Sequence, residues 1–248
     1  PPRSTLFPYT TLFRSEIEYR ARTYSPKIVV VNYPSNPTGR IADIDFYNSL
    51  SEIAAHYGFI VMSDLAYSEI AFDGLKVSSY LEARPNLELG FEYFAFSKTY
   101  NMAGWRVGAI VGDKRLVDAV KLYKSKIDSN VFYPIQLAAA TALKETPASF
   151  YHELSEMYEH RRNALLERLS KAGLKFSPPQ GAMYTWVETP KGMDPWVFTE
   201  RLYREYGILV VPGTAYGLNG IHRVRIGLVQ EVPLMEEAAE RLTGGGLL

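Results

Sequence analysis

Residues 28–64 read IVVVNYPSNPTGRIADIDFYNSLSEIAAHYGFIVMSD, and this stretch decides the fold. Ile28-Val29-Val30-Val31 is β-branched throughout and predicts a strand buried on both faces. It runs into Asn32-Tyr33-Pro34-Ser35-Asn36-Pro37-Thr38-Gly39, a loop of turn formers whose sharp turn suggests a cis Asn36–Pro37 bond. Asp43 stands where an N-cap belongs. Ile44, Tyr47, Leu50, Ile53, Ala54 and Tyr57 follow at helical spacing, and Gly58 closes the helix. Phe59-Ile60-Val61-Met62 is a second apolar run, ending at Ser63-Asp64. Strand, helix and strand in this order form a βαβ unit, and hence a parallel sheet.

The pattern continues outward. Tyr93-Phe94-Ala95-Phe96 is a third apolar run that ends at Ser97-Lys98, and Val107 to Val111 predicts a further strand. The chain then turns helical. Leu116, Val120, Tyr123 and Ile127 mark one amphipathic helix, residues 131–145 suggest another, and Phe150 to Leu169 mark a long one ended by Gly173. After Pro178-Pro179, Met183 to Val187 predicts a strand. Asp194 caps a helix with Pro195 at its first position. Ile208 to Val211 and Val224 to Leu228 predict strands, and Leu234 to Leu242 a last helix. Gly244-Gly245-Gly246 reads as a frayed end. The first fifteen residues, PPRSTLFPYTTLFRS, show no helical or strand period, and are expected to be a non-native segment. The expected organisation is therefore α/β, with a partial large domain over 16–150 and a small C-terminal α/β domain over 151–248. The boundary falls inside the long helix.

Composition narrows the chemistry. The chain has 248 residues, 47% hydrophobic and 22% charged, enough to bury a core. Lys+Arg and Asp+Glu balance at 27 each, so no basic excess points to nucleic acid or an anionic membrane. There is no cysteine, which excludes disulfides and thiol catalysis, and the four histidines lack ligand spacing, which argues against a metal. No apolar run approaches the ~20 residues of a membrane span. The expected setting is the cytoplasm.

In open parallel α/β sheets, ligands sit beyond the carboxyl ends of the strands. Three successive strands here deliver Asn36, Asp64 and Lys98 to that edge. The lysine can form a Schiff base with an aldehyde cofactor. The carboxylate can keep a pyridine nitrogen protonated, and the amide and Tyr67 can hydrogen-bond a ring hydroxyl.

NYPSNPTG, DLAYSEIAFDG and SKTYNMAGWRVG resemble the signature segments of fold-type I, class I/II aminotransferases, and the similarity runs from about residue 16 to the end. The stretches KIDSNVFYPIQ and PGTAYG look most like the LL-diaminopimelate branch and relatives acting on alanine or aspartate. The resemblance implies a mainly parallel sheet, pyridoxal 5'-phosphate as cofactor, an amino acid and a 2-oxo acid as substrates, and a homodimer when full length. It assigns Lys98 the cofactor linkage and α-proton transfer, Asp64 the pyridine nitrogen, and Tyr67 and Asn36 the ring oxygen. Ser97 and Arg106 take the phosphate. Asn36 and Arg225, in Val-Arg-Ile-Gly-Leu, take the substrate α-carboxylate. Arg223 shares a strand face with Arg225, so periodicity alone does not separate them.

The likeness has gaps. Ala95 stands where the family usually has a phosphate-binding serine. A Gly-rich phosphate loop and a ring-stacking aromatic residue are not found between Glu16 and Asn32. The first third of the enzyme is expected to be missing, and the chain by itself is expected to turn over poorly. Two rival readings are a pyridoxal-phosphate-sensing domain of a transcriptional regulator and a β-lyase.

Overall fold

The computed structural model describes residues 7–83 and 88–244, with side chains from Arg14 to Leu242. The last two glycines of the expected frayed end, Gly245 and Gly246, lie outside the described residues, as do residues 1–6. The chain divides into two compact units. The first comprises Pro1–Tyr33, Ala42–Tyr67 and Val77–Thr146, and the second Pro34–Ile41, Ser68–Lys76 and Pro147–Leu248.

The first unit holds helix α1 (Phe7–Tyr24), strand β1 (Ile28–Asn32), helix α2 (Ile44–Tyr57), strand β2 (Ile60–Asp64), the short helix α3 (Tyr80–Ala83) and strand β3 (Gly90–Ala95). Helix α4 (Phe96–Thr99), strand β4 (Gly108–Gly112) and helices α5 (Lys114–Ile127) and α6 (Tyr133–Glu145) complete it. The sheet order is β1-β2-β3-β4. The first three strands are parallel, as the βαβ pattern predicts, and β4 returns antiparallel to β3. Asp43 caps α2 by accepting from Phe46 N–H at 2.8 Å, and Gly58 ends it in the left-handed conformation. Tyr47, Leu50, Ile53 and Ala54 of α2 form a core with Val31, Val61, Phe59 and Tyr80.

Residues 7–15, which show no helical period in the sequence, lie within α1, Phe7–Tyr24. The helix is anchored by Ala21, which is buried, and by Ile17, which packs on the same core. Strand β1 is not buried on both faces. Among the described residues it is an edge strand: Val29 and Val31 face the core shared with α1 and α2, while Ile28 and Val30 are 51% and 62% exposed.

The second unit contains helix α7 (Ala148–Lys171), strands β5 (Phe176–Ser177) and β6 (Tyr184–Glu188), helix α8 (Pro195–Tyr206), strands β7 (Val211–Pro212) and β8 (Arg223–Gly227), and helix α9 (Val232–Gly244). Its sheet is antiparallel in the order β5-β6-β8-β7. The strand expected over Ile208–Val211 shrinks to Val211–Pro212. Only Val211 and Pro212 pair with β8, opposite Arg225 and Val224. Arg161 on α7 reaches Glu231 at 2.5 Å and Arg168 reaches Glu236 on α9 at 2.8 Å, which ties the two helices together. The cut between the units falls at Thr146–Pro147, ahead of α7, and two loops from the first half of the sequence, 34–41 and 68–76, belong to the second unit.

Candidate functional site

The site residues of the first unit gather at the carboxyl end of its sheet. Strand β3 ends at Ala95, and the chain winds at once into α4. The rings of Phe96 and Tyr100 stack at 5.4 Å, and Phe94 meets Phe96 edge-on at 5.2 Å. Phe96 and Thr99 are buried, so the short turn leaves Ser97 and Lys98 half-exposed on its other side. The segment closes through Phe96 N–H to the Val107 carbonyl, and Ala95 pairs with Gly108. That closure brings Arg106 back to the same end of the sheet as Lys98. Arg106 adopts a left-handed backbone (φ 54°), donates to the Ala103 carbonyl at 2.8 Å and is otherwise exposed. Ala95 occupies the N-cap of α4 and offers no capping side chain.

Asp64 ends β2, in register with Asn32 on β1 and Tyr93 on β3. Its carboxylate accepts from Ala66 N–H at 3.1 Å, and its carbonyl accepts from the Asn32 amide at 3.1 Å. Burial pushes the Asp64 carboxyl above the ordinary aspartate range, and the Ala66 N–H opposes this in part. Tyr67 follows in the next turn and is buried, with Lys98 Nζ 5.9 Å from its ring centre. Among the described residues no carboxylate ion-pairs with Lys98.

This donor set fits pyridoxal 5'-phosphate. It offers an unpaired, half-buried amine, a desolvated carboxylate whose charge a cationic ring would stabilise, a buried tyrosine, and an exposed guanidinium suited to phosphate. Among the described residues there is no group of three or more His, Asp or Glu that could hold a metal, and no helix long and apolar enough to cross a membrane.

The second unit carries Asn36 and Arg225 together. Arg225 Nη1 donates to Asn36 Oδ1 at 2.9 Å. The Asn36–Pro37 bond is cis, as the turn-rich loop suggested. The loop is pinned by its own unit: Gln180 N–H and Gly181 N–H both donate to the Gly39 carbonyl, at 2.8 and 3.0 Å, and Ile41 N–H donates to Gln180 Oε1 at 3.2 Å. Geometry also separates the two arginines that periodicity left equal. Arg223 pairs with Glu188 at 3.1 Å, directly across β6, whereas Arg225 faces Asn36.

Sequence reasoning missed Tyr184 and Tyr216. Their rings lie against the Arg225 guanidinium, with its central carbon 4.0 Å and 5.1 Å from the ring centres. The period of β6 places Tyr184 on one face, but nothing local reports which cation it meets across the sheet.

Comparison with known proteins gives concordant results. Residues 14–242 match the family described as aminotransferase class I and II. The chain is 40% identical over 218 residues to an LL-diaminopimelate aminotransferase of Desulforudis audaxviator, covering 88% of this chain and 55% of the relative. It is 37% identical over 216 residues to one from Moorella thermoacetica, covering 87% and 55%. Among solved structures, an aminotransferase from Staphylococcus aureus matches with a TM-score of 0.82 and 36% identity, over 88% of this chain and 57% of that one. A double mutant of Thermus thermophilus aspartate aminotransferase matches with a TM-score of 0.85 and 30% identity, over 93% and 60%. The chain thus spans little more than half the length of the proteins it resembles.

Proposed function

The chain belongs to the class I and II aminotransferase family, and from that membership we propose that it serves the transfer of an amino group between an amino acid and a 2-oxo acid. The observation that carries this reading is the cluster of Lys98, Tyr67 and desolvated Asp64 at the carboxyl end of one sheet. Enzymes of the family depend on pyridoxal 5'-phosphate. When bound, the cofactor supplies an aldehyde to receive the amino group and a pyridine ring to accept electron density.

The chain's own residues divide the remaining work. Lys98 would hold the aldehyde carbon through its Nζ and, as a free amine, take the α-proton of the substrate. Asp64 would keep the ring nitrogen protonated. Tyr67 would donate to the ring oxygen, with Asn36 as a second donor. Ser97 and Arg106 would grip the phosphate, with one donor fewer than the family usually has, because Ala95 carries no hydroxyl. Arg225, oriented by Asn36, would anchor the substrate α-carboxylate.

The names of the relatives support a narrower proposal, LL-diaminopimelate as the amino donor; 2-oxoglutarate is proposed with it as acceptor. A homodimer in the cytoplasm is the assembly and setting proposed with it.

The test joins this chain to the part of the Desulforudis relative that it does not cover. Glutamate formation from 2-oxoglutarate is then measured with LL-diaminopimelate, alanine or aspartate as donor. Transfer that disappears in Lys98→Ala is the expected result. Release of ammonia and pyruvate in place of a new amino acid would point to a β-lyase. Cofactor binding with no turnover on any donor would point to a sensor domain, and either outcome overturns the proposal.

A further inference from the structure

We infer that Tyr184 and Tyr216 are positioning residues for Arg225, and that with Asn36 they reserve the Nε–Nη2 edge of its guanidinium as the fork that takes a planar carboxylate. The inference rests on the reading of Arg225 as a carboxylate anchor.

A guanidinium offers two different kinds of contact. Its faces attract aromatic rings, and its in-plane N–H groups donate hydrogen bonds. Rings on a face therefore restrain the plane without consuming a donor. Arg225 is held in this way, with Tyr184 at 4.0 Å and Tyr216 at 5.1 Å from its central carbon. The Tyr216 ring is itself fixed. Tyr216 meets Trp186 edge-on at 5.7 Å, and Trp186 pairs with Arg225 across β6 and β8. Tyr216 sits on a loop whose ends touch, since a Cβ on Gly220 would fall 2.0 Å from the Gly213 carbonyl oxygen.

The in-plane donors are unequally used. Nη1 donates to Asn36 at 2.9 Å, whereas Nε is buried and, among the described residues, has no hydrogen-bond partner. A buried N–H without an acceptor costs free energy that an arriving oxygen would return. Nε–H and one Nη2–H point in parallel, at the spacing of two carboxylate oxygens. Arg223 supplies the contrast. It lies on the same strand face, but Glu188 already accepts from its Nη2.

The probe is 2-oxoglutarate, titrated into the nitrogen-15-labelled 248-residue chain and followed through the arginine Nε–Hε resonances. The Arg225 resonance is identified by its loss in Arg225→Lys. The expected result is a saturable downfield movement of that resonance as Nε–H gains an oxygen acceptor. Tyr184→Leu and Tyr216→Leu should each weaken the apparent affinity by about 2- to 30-fold, and Tyr184→Phe, which keeps the ring, should restore it. Circular dichroism checks that the leucine variants fold, and Tyr216→Leu carries the test if Tyr184→Leu does not. Saturable binding that leaves Arg225 Nε unmoved, or leucine variants that bind like the parent, would overturn the inference while leaving the anchor intact. The absence of any saturable change, in parent and Arg225→Lys alike, would remove the anchor reading and the inference with it.

Discussion

Replacing Gly39 by alanine should damage the second unit far more than the same change at Gly173, although both glycines have nearly the same backbone. Their φ values are +67° and +74°, in the left-handed region where a Cβ costs about 1–2 kcal/mol. The difference lies in the space. A Cβ on Gly173 meets nothing within 4 Å, whereas one on Gly39 would fall 2.3 Å from Pro179 Cβ and 2.9 Å from the Gly181 carbonyl oxygen. The Gly39 carbonyl also accepts from Gln180 and Gly181, so the loop cannot retreat without losing those bonds. Overpacking of this kind adds about 1–3 kcal/mol. Gly39→Ala should therefore cost about 2–5 kcal/mol in total, and exceed Gly173→Ala by the overpacking alone. Both glycines lie in the second unit, which also holds Trp186 and Trp196, while Trp105 lies in the first. In a Trp105→Phe background, tryptophan fluorescence during urea unfolding reports the second unit alone. Because the loop carries Asn36, Gly39→Ala should also weaken carboxylate binding at Arg225. Equal destabilisation by the two alanines would refute the packing argument.

Other consequences concern charge and pH. Asp64→Asn should stabilise the chain near neutrality. Burial raises the Asp64 pKa, so the folded state favours its protonated form, and that contribution is lost as pH rises through the raised value. The advantage of the asparagine should thus open above the ordinary aspartate pKa of about 3.9 and level off at higher pH, as thermal unfolding across pH would record. Asp113 behaves oppositely. The Arg115 guanidinium, bonded to it at 2.7 Å, is the main cause that holds its carboxyl down at about 2. Its contribution is present above the ordinary aspartate pKa and is lost as pH falls toward about 2. Asp113→Ala should remove both that acid-side dependence and the N-cap of α5, at a cost of about 1 kcal/mol at neutral pH.

Much of the fold is legible in the sequence because its signals are local. Asp43 with Gly58 brackets one helix and Asp194 with Pro195 opens another, and each performs that role. The run Ile28–Val31 misled for a reason beyond its own residues. A β-branched strand looks the same whether or not something covers its second face, and here Ile28 and Val30 are exposed. Residues 208–210 failed as a strand because pairing depends on a partner that the period does not report. At the candidate site, Asp64 and Lys98 stand out as polar residues closing apolar runs. Periodicity could not tell Arg223 from Arg225, and only the family motif favoured Arg225; in the fold, Glu188 across the sheet and Asn36 from a distant loop distinguish them. Tyr184 and Tyr216 were invisible for the same reason, as their role depends on contacts that folding creates.

Lys98 is proposed to carry the cofactor. The direct measurement is to incubate the chain with limiting pyridoxal 5'-phosphate, reduce with borohydride, and map the modified peptides by mass spectrometry. The label should concentrate on Lys98, and Lys98→Ala should lose it without gaining label elsewhere. Label spread evenly over other lysines, or undiminished in Lys98→Ala, would contradict it.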